Sequence, residues 1–194
     1  MMRVGFDAIV LAGGSSRRLG RAKTIEQVGG RPLLGRVTDA LVDAQRVIVV
    51  GCADGAGRAD VVVCEDPPGS GPVAALAAGV AAVQAAVVLT LAGDLPFLTA
   101  AALRVLIGAI APADVALAVD GRGRDQYLLA AWRTDALRAR LRDVDDPIGA
   151  RLGDLVGASS VRRVRLDGDP PPWWDCDTDH DLARAREWAP VSPP

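Results

Sequence analysis

Ile9-Val10-Leu11-Ala12-Gly13-Gly14-Ser15-Ser16-Arg17-Arg18-Leu19-Gly20-Arg21-Ala22-Lys23 runs from an apolar, strand-like segment through paired glycines into a basic loop. Glycines at the end of a buried strand let the backbone turn sharply and approach a ligand closely. Successive backbone N–H groups in such a turn form a concave anion site. Arg17, Arg18, Arg21 and Lys23 add fixed positive charge and bidentate phosphate donors. Four basic residues within the eleven from Gly13 to Lys23 suit a polyphosphate better than a solvated surface turn. The two commonest phosphate loops are absent: Lys23 stands three residues after Gly20, which breaks the GxxxxGK[ST] spacing, and there is no GxGxxG. The segment reads as a cradle for a nucleoside triphosphate, placed where the first strand of an α/β fold ends.

Outward from this loop, short β-branched runs alternate with Ala/Leu-rich helical stretches. Strands are expected at Asp7–Ala12, Arg46–Val50, Val61–Cys64, Val87–Ala92, Asp114–Val119, Tyr127–Trp132 and Val161–Leu166. Helices are expected over Pro32–Ala44, Pro72–Ala85, from an N-cap at Thr99 to Ile110, from Thr134 or Asp135 to about Arg142, and from a Thr178 cap to Trp188. Apolar strands separated by helices imply a three-layer α/β/α, Rossmann-like domain with a mostly parallel sheet covered on both faces. At 194 residues the chain suits one domain, residues 1–194, with a core of about 4–189 and a frayed tail from Pro190.

Composition narrows the function. Half of the residues are hydrophobic and the formal net charge is −2, so a full core forms without staples and there is no footprint for nucleic acid or an anionic membrane. Cys52, Cys64 and Cys176 are odd in number and form no CxxC, which argues against a disulfide framework or a zinc site. Cys52 and Cys64 lie in or beside apolar runs and read as core residues. A single histidine, His180, cannot build a multi-histidine centre. No signal peptide and no apolar run of about 18 residues is found, so a cytoplasmic protein is expected.

The candidate chemistry outside the loop is carboxylate chemistry. Asp94 stands just past the apolar run Val87–Ala92, and ligands of open parallel sheets bind beyond the carboxyl ends of the strands. A carboxylate there is placed to hold Mg²⁺ against phosphates, or else to cap a turn. Asp175 and Asp177 alternate along an extended segment and so share a face. Asp177 is the candidate second ligand beside Asp94, with helix capping as the alternative.

Leu11-Ala12-Gly13-Gly14-Ser15-Ser16-Arg17-Arg18-Leu19-Gly20 with Lys23 resembles the LAGGxSxRMGxxK signature of the MobA-type molybdenum cofactor guanylyltransferases, within the GT-A-like nucleotidyltransferase superfamily. Gly29-Gly30-Arg31-Pro32-Leu33-Leu34, Glu65-Asp66 with Gly71-Pro72-Val73-Ala74, Ala92-Gly93-Asp94-Leu95-Pro96, and Asp175-Cys176-Asp177-Thr178-Asp179-His180-Asp181-Leu182 resemble later family motifs in the family's order.

The resemblance implies transfer of GMP from GTP to a phosphorylated acceptor, molybdopterin, with Mg²⁺ and release of pyrophosphate. Carried onto this chain, Lys23, Arg17 and Asp94 form the catalytic set. Leu11, Ala12, Gly13, Gly14, Ser15, Arg18, Lys23, Asp66, Gly71 and Pro72 bind the nucleotide, with Asp66 and its loop at the guanine or ribose. Asp94 and Asp177 hold the metal. Arg17 and Arg18 divide the phosphate work, and the spacing does not say which of them faces solvent. Arg122, Arg124 and Asp175 are acceptor-binding candidates, although a solvated hairpin accounts equally for the two arginines.

Some positions depart from the family pattern. Ala22 replaces an aspartate, Thr24-Ile25-Glu26-Gln27 replaces an apolar run, Ala75 replaces a glycine, and aspartates 175 and 177 replace asparagines. The rival readings are a cytidylyltransferase or a sugar- or polyol-phosphate nucleotidyltransferase of the same superfamily, and a nucleotide-binding homologue without turnover.

Overall fold

Phe6–Ala12 forms strand β1, and all seven of its residues are buried, as a central strand covered on both faces requires. The structure is a computed structural model that describes residues 5–13 and 23–189. The candidates Gly14, Ser15, Arg17 and Arg18, together with Arg21, Ala22 and the tail from Pro190, lie outside the described residues.

β1 pairs in parallel with β4 (Arg46–Gly51) on one side and with β6 (Val87–Ala92) on the other. Beyond β4 lies β5 (Val61–Val63), also parallel. Beyond β6, β8 (Asp125–Arg133) runs antiparallel to both β6 and β7 (Val115–Val119), and β9 (Val161–Arg165) closes the edge in parallel with β7. The order β5-β4-β1-β6-β8-β7-β9 is therefore the mostly parallel sheet expected from the sequence, with β8 as its antiparallel member.

Helices cover both faces. Ala8, Val10 and Val49 pack with Leu34 and Val37 of α1 (Leu33–Asp39) and with Leu103 and Leu106 of α3 (Ala100–Ala109). On the other face, Ile9, Leu11 and Ile48 meet Leu76 and Val80 of α2 (Pro72–Val80), Leu137 of α4 (Thr134–Arg142) and Leu155 of α5 (Leu152–Gly157). The last helix, α6 (Asp179–Trp188), packs against a small hairpin of β2 (Gln27–Val28) and β3 (Arg31–Pro32). Leu182 and Ala185 of α6 join Val28, Leu33, Phe97 and Cys176 in a third apolar cluster. Its capping box, in which Thr178 and Asp181 satisfy each other's backbone N–H groups, sets where α6 starts.

Two helices are shorter than their periodicity suggests. α1 ends at Asp39 rather than Ala44, and α2 at Val80 rather than Ala85. The end of the second is enforced from across the fold. Asp7, 1% exposed within β1, accepts from the N–H groups of Gln84 (2.7 Å) and Ala85 (3.0 Å) and turns the chain into β6. Asp7→Ala strands both inward-facing donors, and each unmet buried group costs about 1–3 kcal/mol. A marked drop in melting temperature is expected, and a smaller one for Asp7→Asn, which keeps an acceptor.

Cys52 and Cys64 are exposed rather than part of the core, because each stands just past the end of its strand; Cys176 is the buried cysteine. Among the described residues no helix is long and apolar enough to cross a membrane.

Candidate active site

The strand order reverses direction at β1, which has β4 on one side and β6 on the other. Such a switch point opens a crevice at the carboxyl ends of the strands. Gly13 follows β1, Gly51 ends β4, and Gly93-Asp94 follow β6, so three strand ends meet there. The Gly93 N–H donates to the Leu11 carbonyl at 3.0 Å, which fixes the start of the Asp94 turn against β1. Gly51 adopts φ 106°, and a Cβ at that position would lie 2.6 Å from the Gly13 nitrogen. Gly51→Ala combines a strained backbone with a clash and should cost about 2–4 kcal/mol. It should also weaken nucleotide binding by displacing the first glycine of the loop, a loss measured by titrating nucleotide against melting temperature.

Lys23 opens the 3-10 turn Lys23–Ile25 and is the one lysine in a chain that otherwise uses arginine, 21 times among 22 basic residues. Its ammonium pairs with Asp94 Oδ2 and, at 2.7 Å, with Asp177 Oδ1. The Lys23 and Asp94 side chains are each 15% exposed, whereas Asp177 is 62% exposed. Burial opposes the charge on Lys23, but the Asp94 and Asp177 carboxylates outweigh it and hold the group above the ordinary lysine value. The Cys176 N–H donates to the Asp94 carbonyl at 3.3 Å, which ties the segment carrying Asp175 and Asp177 to the end of β6.

Withdrawal from water, together with the Asp177 and Asp94 charges, pushes the Asp175 carboxyl up to about 6. The Cys176 thiol is pushed up to about 12 by burial and by Asp94, so it is no nucleophile at neutral pH.

The oxygen donors fit a hard divalent cation. Asp94 Oδ1 is buried and has no hydrogen-bond partner among the described residues, a costly arrangement unless the atom serves a ligand. No group of three or more potential ligands assembles among the described residues.

On the β4–β5 side the two adjacent acids behave differently. Glu65 is buried, accepts from the Gly69 N–H at 2.9 Å, and places the same oxygen 3.7 Å from a Cβ built on Gly13. Asp66 is exposed. Sequence reasoning named Asp66, and nothing local tells which of two neighbouring carboxylates turns inward. The Ser70 hydroxyl donates to the Pro67 carbonyl at 2.5 Å, and Gly71, at φ 102°, leads into α2 with Pro72 in its first turn. Asp66, Gly71 and Pro72 thus lie on the loop that Glu65 braces beside Gly13.

Arg122 and Arg124 are exposed on the β7–β8 turn, where Asp120 Oδ1 accepts from both of their backbone N–H groups at 2.8 Å. β7 runs parallel to β6, so this turn lies on the same edge of the sheet as Asp94. Trp173 lies 3.5 Å from a Cβ built on Gly121 and brings the turn beside the segment leading to Asp175.

Residues 8–160 match the model of the MobA-like NTP transferase domain. A molybdenum cofactor guanylyltransferase from Rhodobacter capsulatus is 33% identical over 190 residues, 92% of this chain and 94% of that protein. A solved molybdopterin-guanine dinucleotide biosynthesis protein A from Archaeoglobus fulgidus shares the fold with a TM-score of 0.74 at 22% identity, covering 93% of this chain and 97% of its own. A 2-C-methyl-D-erythritol 4-phosphate cytidylyltransferase from Thermus thermophilus does so at 0.67 and 22%, covering 98% of this chain and 100% of its own. The fold and the relatives together define a nucleotidyltransferase. The chain belongs to the MobA-like NTP transferase family.

Proposed function

We propose that this chain transfers GMP from GTP to the terminal phosphate of a molybdopterin-type acceptor and releases pyrophosphate. The observation that carries the reading is Lys23 held between Asp94, just past the end of β6, and Asp177, just before α6. The Rhodobacter relative, which carries the guanylyltransferase name, supports the choice of GTP and acceptor.

The reaction is an in-line displacement. An acceptor phosphate oxygen forms a bond to the α-phosphorus, and the bond from that phosphorus to the bridging oxygen of pyrophosphate breaks. The attacking phosphate is already anionic, so no serine or cysteine nucleophile is required, in keeping with the inert Cys176. Catalysis is then positioning and charge neutralisation. Backbone N–H groups from Gly13 onward, with Gly14, Ser15, Arg17 and Arg18, receive the triphosphate. Lys23 neutralises the charge that grows on the departing pyrophosphate. Asp94 and Asp177 would hold Mg²⁺, which would supply further neutralisation of the triphosphate. Glu65 braces the loop whose Asp66 accepts from guanine, and a base unable to donate there would leave that acceptor unpaired. Arg122, Arg124 and Asp175 face the acceptor.

A pyrophosphate-release screen of GTP, CTP, ATP and UTP against molybdopterin and a panel of sugar phosphates tests the proposal. The expected result is release with GTP and molybdopterin. Preferential use of CTP, or release only with a sugar phosphate, would replace the substrate reading. Nucleotide binding without release under any pairing would remove the catalytic one.

A further inference from the structure

The stretch Thr24–Gln27 departs from the family pattern, and the structure shows what Glu26 and Gln27 do. The chain from Lys23 to Gly29 runs alongside α6 in the same direction. Lys23 faces Asp177 at 2.7 Å, just before α6 begins. The Arg186 guanidinium, near the other end of the helix, donates through Nε to the Gln27 carbonyl and through Nη2 to Glu26 Oε2, both at 2.9 Å. A Cβ on Gly29 would lie 3.1 Å from the Ala189 carbonyl. Glu26 is the node of this arrangement. Its N–H donates to the Lys23 carbonyl at 3.1 Å and closes the 3-10 turn, its own carbonyl accepts from the Leu33 N–H at 2.8 Å at the start of α1, and its side chain is held by Arg186.

We infer that Arg186 is a positioning residue for Lys23, acting through the Glu26 carboxylate and the Gln27 carbonyl. α6 thus grips the lysine arm at both ends, with Asp177 before its first turn and Arg186 in its last. The forked guanidinium suits this task because it meets two acceptors in one plane, which an ammonium cannot do. The inference rests on the proposed role of Lys23. Its structural core, that the clasp restrains the lysine, can be read without turnover.

A partly exposed ion pair adds little to global stability, so Arg186→Ala should shift the melting temperature by less than about 4 °C. A lysine misplaced by about 1 Å costs far more in rate, up to about a hundredfold. Arg186→Ala and Glu26→Ala should therefore each lower kcat for pyrophosphate release at least about tenfold, with KM for GTP changed less than about threefold because the Glu65–Gly71 loop is untouched. The double variant should lose clearly less than the product of the two single losses. Glu26→Gln keeps an acceptor for Arg186 and should stay within about threefold of the unaltered chain.

Because Lys23 is the chain's one lysine, its acylation by an N-hydroxysuccinimide ester, followed by mass spectrometry, reports its restraint directly. Labelling should rise at least about fivefold in Arg186→Ala as the side chain, 15% exposed in its clasp, is released from its carboxylates to the reagent. Labelling at the unaltered rate, a loss of kcat that tracks melting temperature, or equal damage from Glu26→Gln and Glu26→Ala would overturn the inference. A rise in labelling in a chain that turns over no nucleotide would keep the clasp and reject the proposed reaction.

Discussion

Asp94→Asn is expected to lower Mg²⁺-dependent pyrophosphate release by about 10³-fold, equivalent to about 4 kcal/mol in the barrier, while the protein stays folded. Asp94 combines an oxygen pinned to Lys23 with a buried oxygen that has no hydrogen-bond partner among the described residues. The amide keeps one oxygen for the lysine but removes the charge on which a divalent cation depends. Its shape is nearly unchanged, and the main-chain bond from Cys176 to the Asp94 carbonyl does not involve the side chain. The melting temperature should therefore move only a few degrees while the rate collapses. Steady-state kinetics over a Mg²⁺ series reads the first effect and thermal unfolding reads the second. Undiminished turnover in Asp94→Asn would remove the carboxylate from the mechanism.

Lys23→Arg is expected to be nearly as damaging, about 10²–10³-fold in kcat, although the charge is kept. The rest of the chain uses arginine for positive charge, so the retention of lysine at this one position is itself a chemical statement. A compact ammonium fits between Asp94 Oδ2 and Asp177 Oδ1; a planar guanidinium is wider and pushes the carboxylates apart. Lys23→Met adds a second loss, because Asp94, Asp177 and Asp175 then face one another without their counter-ion.

The pH dependence of this residue follows from the sign of its shift. Its pKa is raised in the folded protein, so the stability it contributes is fully present below the unfolded lysine value and is lost only as pH rises through the higher folded one. Between pH 6 and 9 neither unfolding nor activity should show a lysine step. A kinetic pKa within that window that disappears in Lys23→Arg would contradict this placement.

Most of the sheet could be read locally. Val87–Ala92 and Arg46–Val50 are apolar runs that only a doubly covered strand tolerates, and both are strands. What escaped was set by distant partners or by weak local signals. Gln84 and Ala85 look like a continuation of α2, but the Asp7 carboxylate, 77 and 78 residues away, takes their N–H groups and ends it. α5 has six residues, two of them glycines, too few to show a helical period. The hairpin around Gly29-Gly30 rests on two-residue strands and on α6, joined through Glu26 to Arg186 across 160 residues.

The candidate site divides in the same way. Lys23 and Asp94 are candidates by residue type, and the structure brings the two together. The inward turn of Glu65 rather than Asp66 depends on how the Pro67–Gly71 loop closes, and no spacing rule encodes it.

The central claim is that the crevice at the ends of β1 and β6 moves the α-phosphorus of GTP onto an acceptor. Incubating the protein with Mg²⁺, acceptor and GTP radiolabelled at either the α- or the γ-phosphorus follows both halves of that reaction at once. The account predicts α-label in the acceptor adduct and γ-label in pyrophosphate, in equal amounts. γ-Label appearing as free orthophosphate, with none of the α-label on the acceptor, would show a simple triphosphatase and contradict it.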